Sequence, residues 1–304
     1  MDNTNKFLEL KKANKVWAIG SLHSSLNSFY SIKQYILDNF ESGDKLIFLG
    51  NIIGFGNKSK EIITEVLKLR FTLMAKYKLK NKDIVFLRGA QEEMLSKLLQ
   101  LHIAPNPTEI LDWVFSHGVD QTIISYNFKP DEFRKIASQG TIQINKLTTK
   151  LNNEISSNPG HKEFFSNLKH AAYTETKDVL FVNRGVDLSR PLSAQNDCFW
   201  WGYQNFSQIN KPYLSFKRIV RGYQSNHHND IENSKTSVLC TLFKQPLDNK
   251  KILAGIFSKN GDIIELFESK WSKLKLLRIT KYMTIKTLVS NNLVEFSKKS
   301  KILD

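Results

Sequence analysis

The first ninety residues alternate between short apolar runs and longer amphipathic stretches. The apolar runs are "KVWAIG", "KLIFLG" and "DIVFLRG", and continuous runs of this length are typical of strands buried on both faces. Between them, "SLNSFYSIKQYILDNF" and "KSKEIITEVLKLRFTLMAKY" place apolar residues at helical spacing. The pattern predicts strand, helix, strand, helix, strand, with a glycine-containing loop at the carboxyl end of each strand. Open α/β sheets build their sites at that edge.

Beyond residue 100 the pattern changes twice. Residues from about 105 to 170 favour helices punctuated by Pro and Gly, which indicates a helical insert or cap. Strand patterns return in "DVLFVNRG", "KRIVRG", "TSVLCTLF", "KKILAGIFS" and "DIIELFE". The last three resemble an antiparallel meander, and "SKNGDI" carries the Asn-Gly pair of a tight hairpin turn.

Charge adds a candidate partner. The formal net charge is +15, from 44 Lys and Arg against 29 Asp and Glu, which favours a polyanion such as nucleic acid. A lysine-rich composition without any selected partner explains the same charge equally well. Residues 269–304 form a basic C-terminal extension, and its candidate contacts are Lys298, Lys299 and Lys301.

Two cysteines, Cys198 and Cys240, both lie in apolar contexts. Buried free thiols in a reducing compartment are expected, because a secreted chain of this size more often carries a disulfide framework. The N-terminal residues lack the order of a signal peptide, and no apolar run approaches the ~20 residues that span a bilayer. We therefore expect a cytoplasmic protein with no membrane span.

The strand-end loops carry an ordered set of motifs. The succession "AIGSLHSS", "FLGNIIGFG", "FLRGAQEEM", "LFVNRG" and "RIVRGYQ" resembles the five motif blocks of calcineurin-like metallophosphoesterases, most closely the bacterial serine/threonine and diadenosine-tetraphosphate phosphatase branch. "DWVFSHGVDQTIISY" and "PLSAQNDCFWWG" are similar to two further segments of that family. The resemblance covers roughly residues 14 to 268 and implies one phosphoesterase domain over 1–268, a sandwich of two mixed β-sheets flanked by helices.

The resemblance also implies a dinuclear metal site, and most of its positions carry other residues here. The replaced positions are Ser21 and Asn51 for aspartates, Gly54 and Phe55 for an Asp-Arg pair, Ala90 and Gln91 for an Asn-His pair, Asn183, Arg221 and Tyr223 for histidines, and Gly202 for an arginine. His23 and Glu92 are retained. One neutral imidazole cannot hold two divalent ions, and Asn51 supplies no bridging charge. We therefore expect no metal and no cofactor.

Two functions from different classes follow from this comparison. The first is a catalytically inactive pseudophosphatase that acts as a binding or scaffolding protein, whose partner is a protein or a polyanion. The second is an active phosphoesterase, of the serine/threonine or dinucleoside polyphosphate phosphatase type, with a rebuilt site. The oligomeric state stays open.

Three arginines are candidate anion ligands in the predicted cleft: Arg88, Arg184 and Arg221. In the alternative interpretation they pair with local carboxylates such as Glu92 or Asp187 and fill the vacated metal space. The neighbouring Trp200-Trp201 pair is expected to pack in the core rather than to stack on bases.

Overall fold

The computed structural model describes residues 6–202, 209–223, 238–243 and 251–269. The strands of this part are β1 Phe7–Leu10, β2 Lys15–Ile19, β3 Lys45–Phe48, β4 Ile84–Phe86, β5 Ala171–Thr174, β6 Val179–Val182, β7 Arg218–Arg221, β8 Leu239–Thr241, β9 Leu253–Ser258 and β10 Ile263–Glu268. Its α-helices are α1 Leu26–Asn39, α2 Ser59–Tyr77, α3 Ala90–Leu99, α4 Pro107–Ser116, α5 Val119–Ser125, α6 Pro130–Ala137, α7 Thr141–Ser157, α8 His161–Ser166 and α9 Cys198–Trp201.

The strands form two mixed five-stranded sheets. The first sheet has the order β1-β5-β6-β7-β8 and the second has the order β10-β9-β2-β3-β4. In the second sheet β2, β3 and β4 run parallel, and β9 pairs antiparallel with both β2 and β10. In the first sheet β6, β7 and β8 run parallel, and β5 pairs antiparallel with β6. This arrangement of two mixed sheets flanked by helices confirms the predicted fold class.

The apolar runs are continuous because both faces of these strands are covered by a hydrophobic core. In β2, Val16 and Ala18 join the core between the sheets, whereas Trp17 and Ile19 join the core beneath the helices. Successive side chains of a strand point to opposite faces, so a strand covered on both faces has no polar alternation. Residues of β6 divide in the same way between the inter-sheet core and a third cluster around Phe199 and Trp200.

The predicted meander is wrong in one strand. β9 and β10 form the expected antiparallel hairpin around Gly261, which has a φ of 98°. β8 instead lies in the first sheet, parallel to β7. A strand as short as "LCT" does not reveal from its sequence which sheet it joins, because that choice depends on contacts with residues distant in the chain. The pattern analysis also missed β1, whose sequence "FLEL" pairs parallel with β5.

Helices α4 to α8 occupy the segment that was predicted to be a helical insert. Their buried residues, including Phe115, Tyr126 and Phe133, belong to the same core as α1, α2 and α3. The insert is therefore packed continuously onto the helices of the second sheet. Among the helices of the described part, none is long and apolar enough to cross a bilayer.

Candidate functional site

The strand-end loops of the two sheets meet and are joined by backbone hydrogen bonds. Ser21, after β2, donates from its N–H to the carbonyl of Gly222, after β7, at 3.0 Å. Gly222 in turn donates to the carbonyl of Asn183, after β6, at 3.0 Å. The Asn183 side-chain amide donates to the carbonyl of Leu49, after β3, at 2.6 Å. The loops that carry the motif blocks thus form one connected site.

Close backbone approach explains why turn glycines persist in these loops. A Cβ atom at Gly20 would lie 1.9 Å from the Leu242 carbonyl oxygen, and one at Gly89 would lie 2.3 Å from the Asn51 amide nitrogen. Such distances are far inside van der Waals contact, so any larger residue would push the two loops apart. The glycines therefore preserve the loop arrangement independently of any chemistry there.

Several non-glycine residues of the loops also hold left-handed backbone conformations. The φ angles are 44° at His23, 59° at Ser24, 51° at Asn51 and 52° at Phe55. Each such residue costs of order 1 kcal/mol and persists only where its surroundings enforce it. The site therefore retains a costly backbone shape.

Glu92, the retained acidic residue, holds these loops together. Its carboxylate is buried and accepts backbone N–H groups from Asn51 at 2.9 Å, Ile52 at 2.7 Å, Ile53 at 3.3 Å and Gly89 at 2.9 Å. Burial raises the pKa of Glu92, and the four N–H donors partly oppose that rise. Because its oxygens are engaged by main-chain donors, Glu92 has a structural role that the motif comparison did not reveal.

The motif positions 51 and 91 carry neutral amides that bind protein groups. Asn51 accepts the Gln91 backbone N–H through its side-chain oxygen at 3.1 Å. The Gln91 side-chain amide donates to the carbonyl of His117, between α4 and α5, at 2.8 Å. Gly54 leaves room for Gln91, since a Cβ there would lie 2.0 Å from its Oε1. These contacts fasten the helical insert to the site.

Phe55 is held by the same turn of the insert. Its N–H donates to the carbonyl of Gly118 at 3.3 Å, and a Cβ at Gly118 would lie 2.9 Å from the Phe55 ring. The Phe55 side chain remains 38% exposed. An aromatic ring thus stands at the surface in the place where the family pattern has an arginine.

His23 is enclosed by aromatic rings. Its ring centroid lies 5.2 Å from Phe55, 5.4 Å from Tyr223 and 6.1 Å from Phe243, each in an edge-to-face arrangement. Neither imidazole nitrogen has a hydrogen-bond partner within the described residues. Burial lowers the pKa of His23 to about 3, and the Ile53 backbone opposes this shift only in part, without the geometry of a hydrogen bond. His23 is therefore a neutral, buried imidazole at physiological pH.

Other buried polar atoms near these loops also lack partners within the described part of the chain: the Ser21 hydroxyl, the Gln91 Oε1 and the Asn183 Oδ1. Both amide oxygens are acceptors, because the amide nitrogens donate to main-chain carbonyls. Most buried polar groups in native proteins are paired with protein or water. These atoms therefore mark the centre of the site as a place that can accept hydrogen bonds.

The residues present do not fit the dinuclear metal centre that the resemblance implies. Within residues 6–202, 209–223, 238–243 and 251–269, no three His, Cys, Asp or Glu side chains are grouped to hold a metal ion. Glu92 is engaged by backbone amides, Ala90 has no donor atom, and the His23 ring is surrounded by aromatic rings. This donor set lacks the carboxylate bridge that two divalent ions need.

Arg184 and Arg221 lie near each other at the loop ends of β6 and β7. Arg221 is buried and donates through Nε to the Thr241 hydroxyl at 2.9 Å. Burial lowers the pKa of Arg221 to about 10, with a further contribution from the positive charge of Arg184. Burial also lowers the pKa of Arg184. At neutral pH both guanidinium groups stay charged.

Arg184 occupies space that Gly202 leaves open. A Cβ at Gly202 would lie 2.9 Å from Arg184 Nε, and the Arg184 guanidinium lies 5.9 Å from the centre of the Tyr223 ring. Arg184 therefore packs against Gly202 and brings its guanidinium beside the Tyr223 ring.

The third candidate arginine has a local partner. Arg88 forms an ion pair with Glu93 at 2.7 Å and lies 5.8 Å from the Trp200 ring. The carboxylates proposed as partners bind other groups, since Asp187 accepts from Ser189 and pairs with Arg190. Arg88 therefore pairs with a local carboxylate, as in the alternative interpretation, and that carboxylate is Glu93 rather than Glu92 or Asp187.

The candidate residues of the basic tail, Lys298, Lys299 and Lys301, lie outside the described residues. Two aromatic residues at the site were missed by the motif comparison. Phe243 follows β8 and completes the enclosure of His23, and Trp113 on α4 is 40% exposed. Phe243 is not a motif position and comes to the site through the location of β8, whereas Trp113 belongs to the family-like segment "DWVFSHGVDQTIISY" but was not singled out as a site residue.

Comparisons with known proteins show that the fold of this chain is similar to several solved structures. No family model matches the chain, and no curated protein matches it. A protein serine/threonine phosphatase from Saccharomyces cerevisiae is 16% identical with a TM-score of 0.48, covering 88% of this chain and 84% of that chain. A metallophosphoesterase from Sphaerobacter thermophilus is 14% identical with a TM-score of 0.43, covering 85% and 88%. A protein assigned as a diadenosine tetraphosphatase is 14% identical with a TM-score of 0.47, covering 88% and 98%.

Proposed function

We propose that this chain is a non-catalytic, metallophosphoesterase-like binding protein that holds a phosphate-containing anion at the strand-end loops. The observation that carries the proposal is that these loops keep a costly shape around two charged guanidinium groups, of which Arg221 is buried and Arg184 is partly exposed. Retained backbone strain points to a retained use of the loops. The residues support binding through charge and hydrogen bonds rather than through metal ions.

The two guanidinium groups define the chemical class of the ligand. Arg184 and Arg221 lie close enough for the charge of one to lower the pKa of the other. An anion placed between two such groups gains attraction from both, and guanidinium groups bind phosphate oxygens in a forked geometry. Arg184 is only partly buried, so a ligand from solvent can reach it.

The first test is hydrolysis. Full-length protein with Mn²⁺ and para-nitrophenyl phosphate is expected to show only the background rate, with no stoichiometric metal by elemental analysis, because the site lacks a bridging carboxylate. Turnover well above background that is lost in His23→Ala would support the alternative, a phosphoesterase with a rebuilt site. Turnover that persists in His23→Ala would indicate a contaminating enzyme.

The second test is direct binding. We expect calorimetry to detect phosphate or sulfate binding in the presence of EDTA, and Arg184→Gln and Arg221→Gln each to weaken it about tenfold or more, since a charge-assisted hydrogen bond contributes roughly 1.5–3 kcal/mol. Arg190→Gln is the matched control, because Arg190 is half-exposed and pairs with Asp187. Equal affinity in wild type and both site variants would refute the role of these arginines.

A further inference from the structure

Partly exposed aromatic rings lie beside the strand-end loops. Trp113 on α4 packs edge-on against Trp201 of α9, with ring centroids 5.5 Å apart, and lies tilted against His117, with centroids 4.9 Å apart. Trp113 is 40% exposed, and Trp201 is partly buried. Phe55 contributes a further ring that is 38% exposed. We call Trp113, Trp201 and Phe55 the aromatic rim.

The aromatic rim is continuous with the arginines of the site. Trp201 is followed by Gly202, against which the Arg184 side chain packs within 3.0 Å of a Cβ position. Phe55 contacts His23, which in turn contacts Tyr223, and Arg184 lies over the Tyr223 ring. Flat apolar faces and a partly exposed guanidinium therefore stand side by side.

We propose that the aromatic rim stacks on the bases of single-stranded nucleic acid while Arg184 contacts the phosphate backbone. This inference deepens the proposed function, on which it rests, by naming the class of phosphate-containing ligand. Base stacking on aromatic side chains tolerates any sequence because every base has a flat π-face, and a cationic groove follows the backbone. The net charge of +15 complements a polyanion.

The chemistry of the rim favours a single strand over other partners. In a duplex the base faces are covered by their neighbours, so only the phosphates would be available to this surface. A protein partner would use the apolar rings without needing the arginine. Trp200, which is 6% exposed, packs in the core as expected, and Trp201 packs against the core while staying only partly buried.

The test is fluorescence anisotropy with a labelled 20-nucleotide oligothymidylate, a duplex of equal length and inorganic polyphosphate, each at low and moderate salt. The wild type is expected to bind the single strand several-fold tighter than the duplex. Trp113→Leu is expected to weaken single-strand binding roughly 5- to 100-fold, the range that stacking of one base supplies. Trp113→Phe should retain most of the affinity, because it keeps a ring.

The controls separate stacking from folding and from charge. Phe71→Leu removes an aromatic ring of α2 that is 62% exposed and should leave all three affinities unchanged. Combined substitution of Lys298, Lys299 and Lys301 by Gln should reduce the salt dependence without removing the single-strand preference. Equal affinities for single strand and duplex, or unchanged binding in Trp113→Leu, would overturn the inference.

These experiments distinguish a failure of the aromatic rim inference from a failure of the proposed function. Phosphate binding that depends on Arg184, together with no effect of Trp113→Leu on the oligonucleotide, would overturn the rim inference and leave the proposed function standing. Single-strand binding that requires Trp113 but is unaffected by Arg184→Gln would overturn the arginine contact in both proposals.

Discussion

Glu92→Ala is expected to destabilise the folded protein by at least about 3 kcal/mol, because it leaves several buried N–H groups without an acceptor. The carboxylate binds the amides of Asn51, Ile52 and Ile53 and the amide of Gly89. For a domain with a typical unfolding free energy of about 5–15 kcal/mol, this is a large loss. Urea unfolding followed by circular dichroism would measure it.

Two variants make the Glu92 prediction specific. Glu92→Gln keeps one acceptor oxygen and should lose less stability than Glu92→Ala. Glu93→Ala removes the adjacent carboxylate of α3, which pairs with Arg88 and Lys97 near the surface, and should cost about 1 kcal/mol or less. Similar losses in Glu92→Ala and Glu93→Ala would show that the amides do not depend on Glu92.

The fate of Glu92 illustrates what the sequence could and could not predict about the site. The motif order placed Ser21, Asn51, Gln91 and Asn183 on loops at the carboxyl ends of strands, and backbone contacts do bring these loops together. Loop position follows from strand direction, which local apolar patterns reveal. The change of Glu92 into an acceptor for main-chain amides depends on distances between loops, which no local pattern contains.

In the fold, too, features set by local sequence patterns were predicted, whereas those set by contacts distant in the chain were not. The strand and helix pattern from Lys15 to Phe86 was predicted, because each run has a clear period and a glycine-containing boundary. The sheet assignment of β8 was wrong, because the three-residue strand "LCT" fits either sheet equally well. Pairing of Arg88 with a local carboxylate was one of the two interpretations, but the sequence did not say which carboxylate. Glu93 lies on the side of α3 that faces Arg88.

His23→Phe is expected to stabilise the protein by about 1–2 kcal/mol at pH 7, because it replaces a buried imidazole without partners by a ring that suits its aromatic surroundings. Phe55, Tyr223 and Phe243 already contact this side chain edge-on. The left-handed backbone at His23, where histidine is tolerated better than most residues, offsets part of this gain. A loss of stability in His23→Phe would show that an ordered ligand or water pairs with the imidazole.

His23→Phe should also reduce the loss of unfolding free energy that occurs as the pH falls below 6.5. The pKa of His23 is about 3 in the folded state, against 6.5 for an exposed histidine. Protonation therefore favours the unfolded chain, so the contribution of neutral His23 is complete above pH 6.5 and is lost as pH falls toward 3. The loss is about 1.4 kcal/mol for each pH unit below 6.5. His161 and His170, whose pKa values burial lowers to about 4, contribute a decline that the substitution leaves in place.

Urea unfolding at pH 7.0 and pH 4.5 measures how much of the pH-dependent loss of stability comes from His23. The difference in unfolding free energy between the two pH values should be smaller in His23→Phe than in the wild type by about 2–3 kcal/mol. His117→Gln is the control, because the His117 side chain is exposed beside Trp113 and should leave the wild-type difference unchanged. An equal decline in the wild type and His23→Phe would mean that His23 is not held neutral in the folded protein. It would then carry charge at the site and would add to the anion attraction of Arg184.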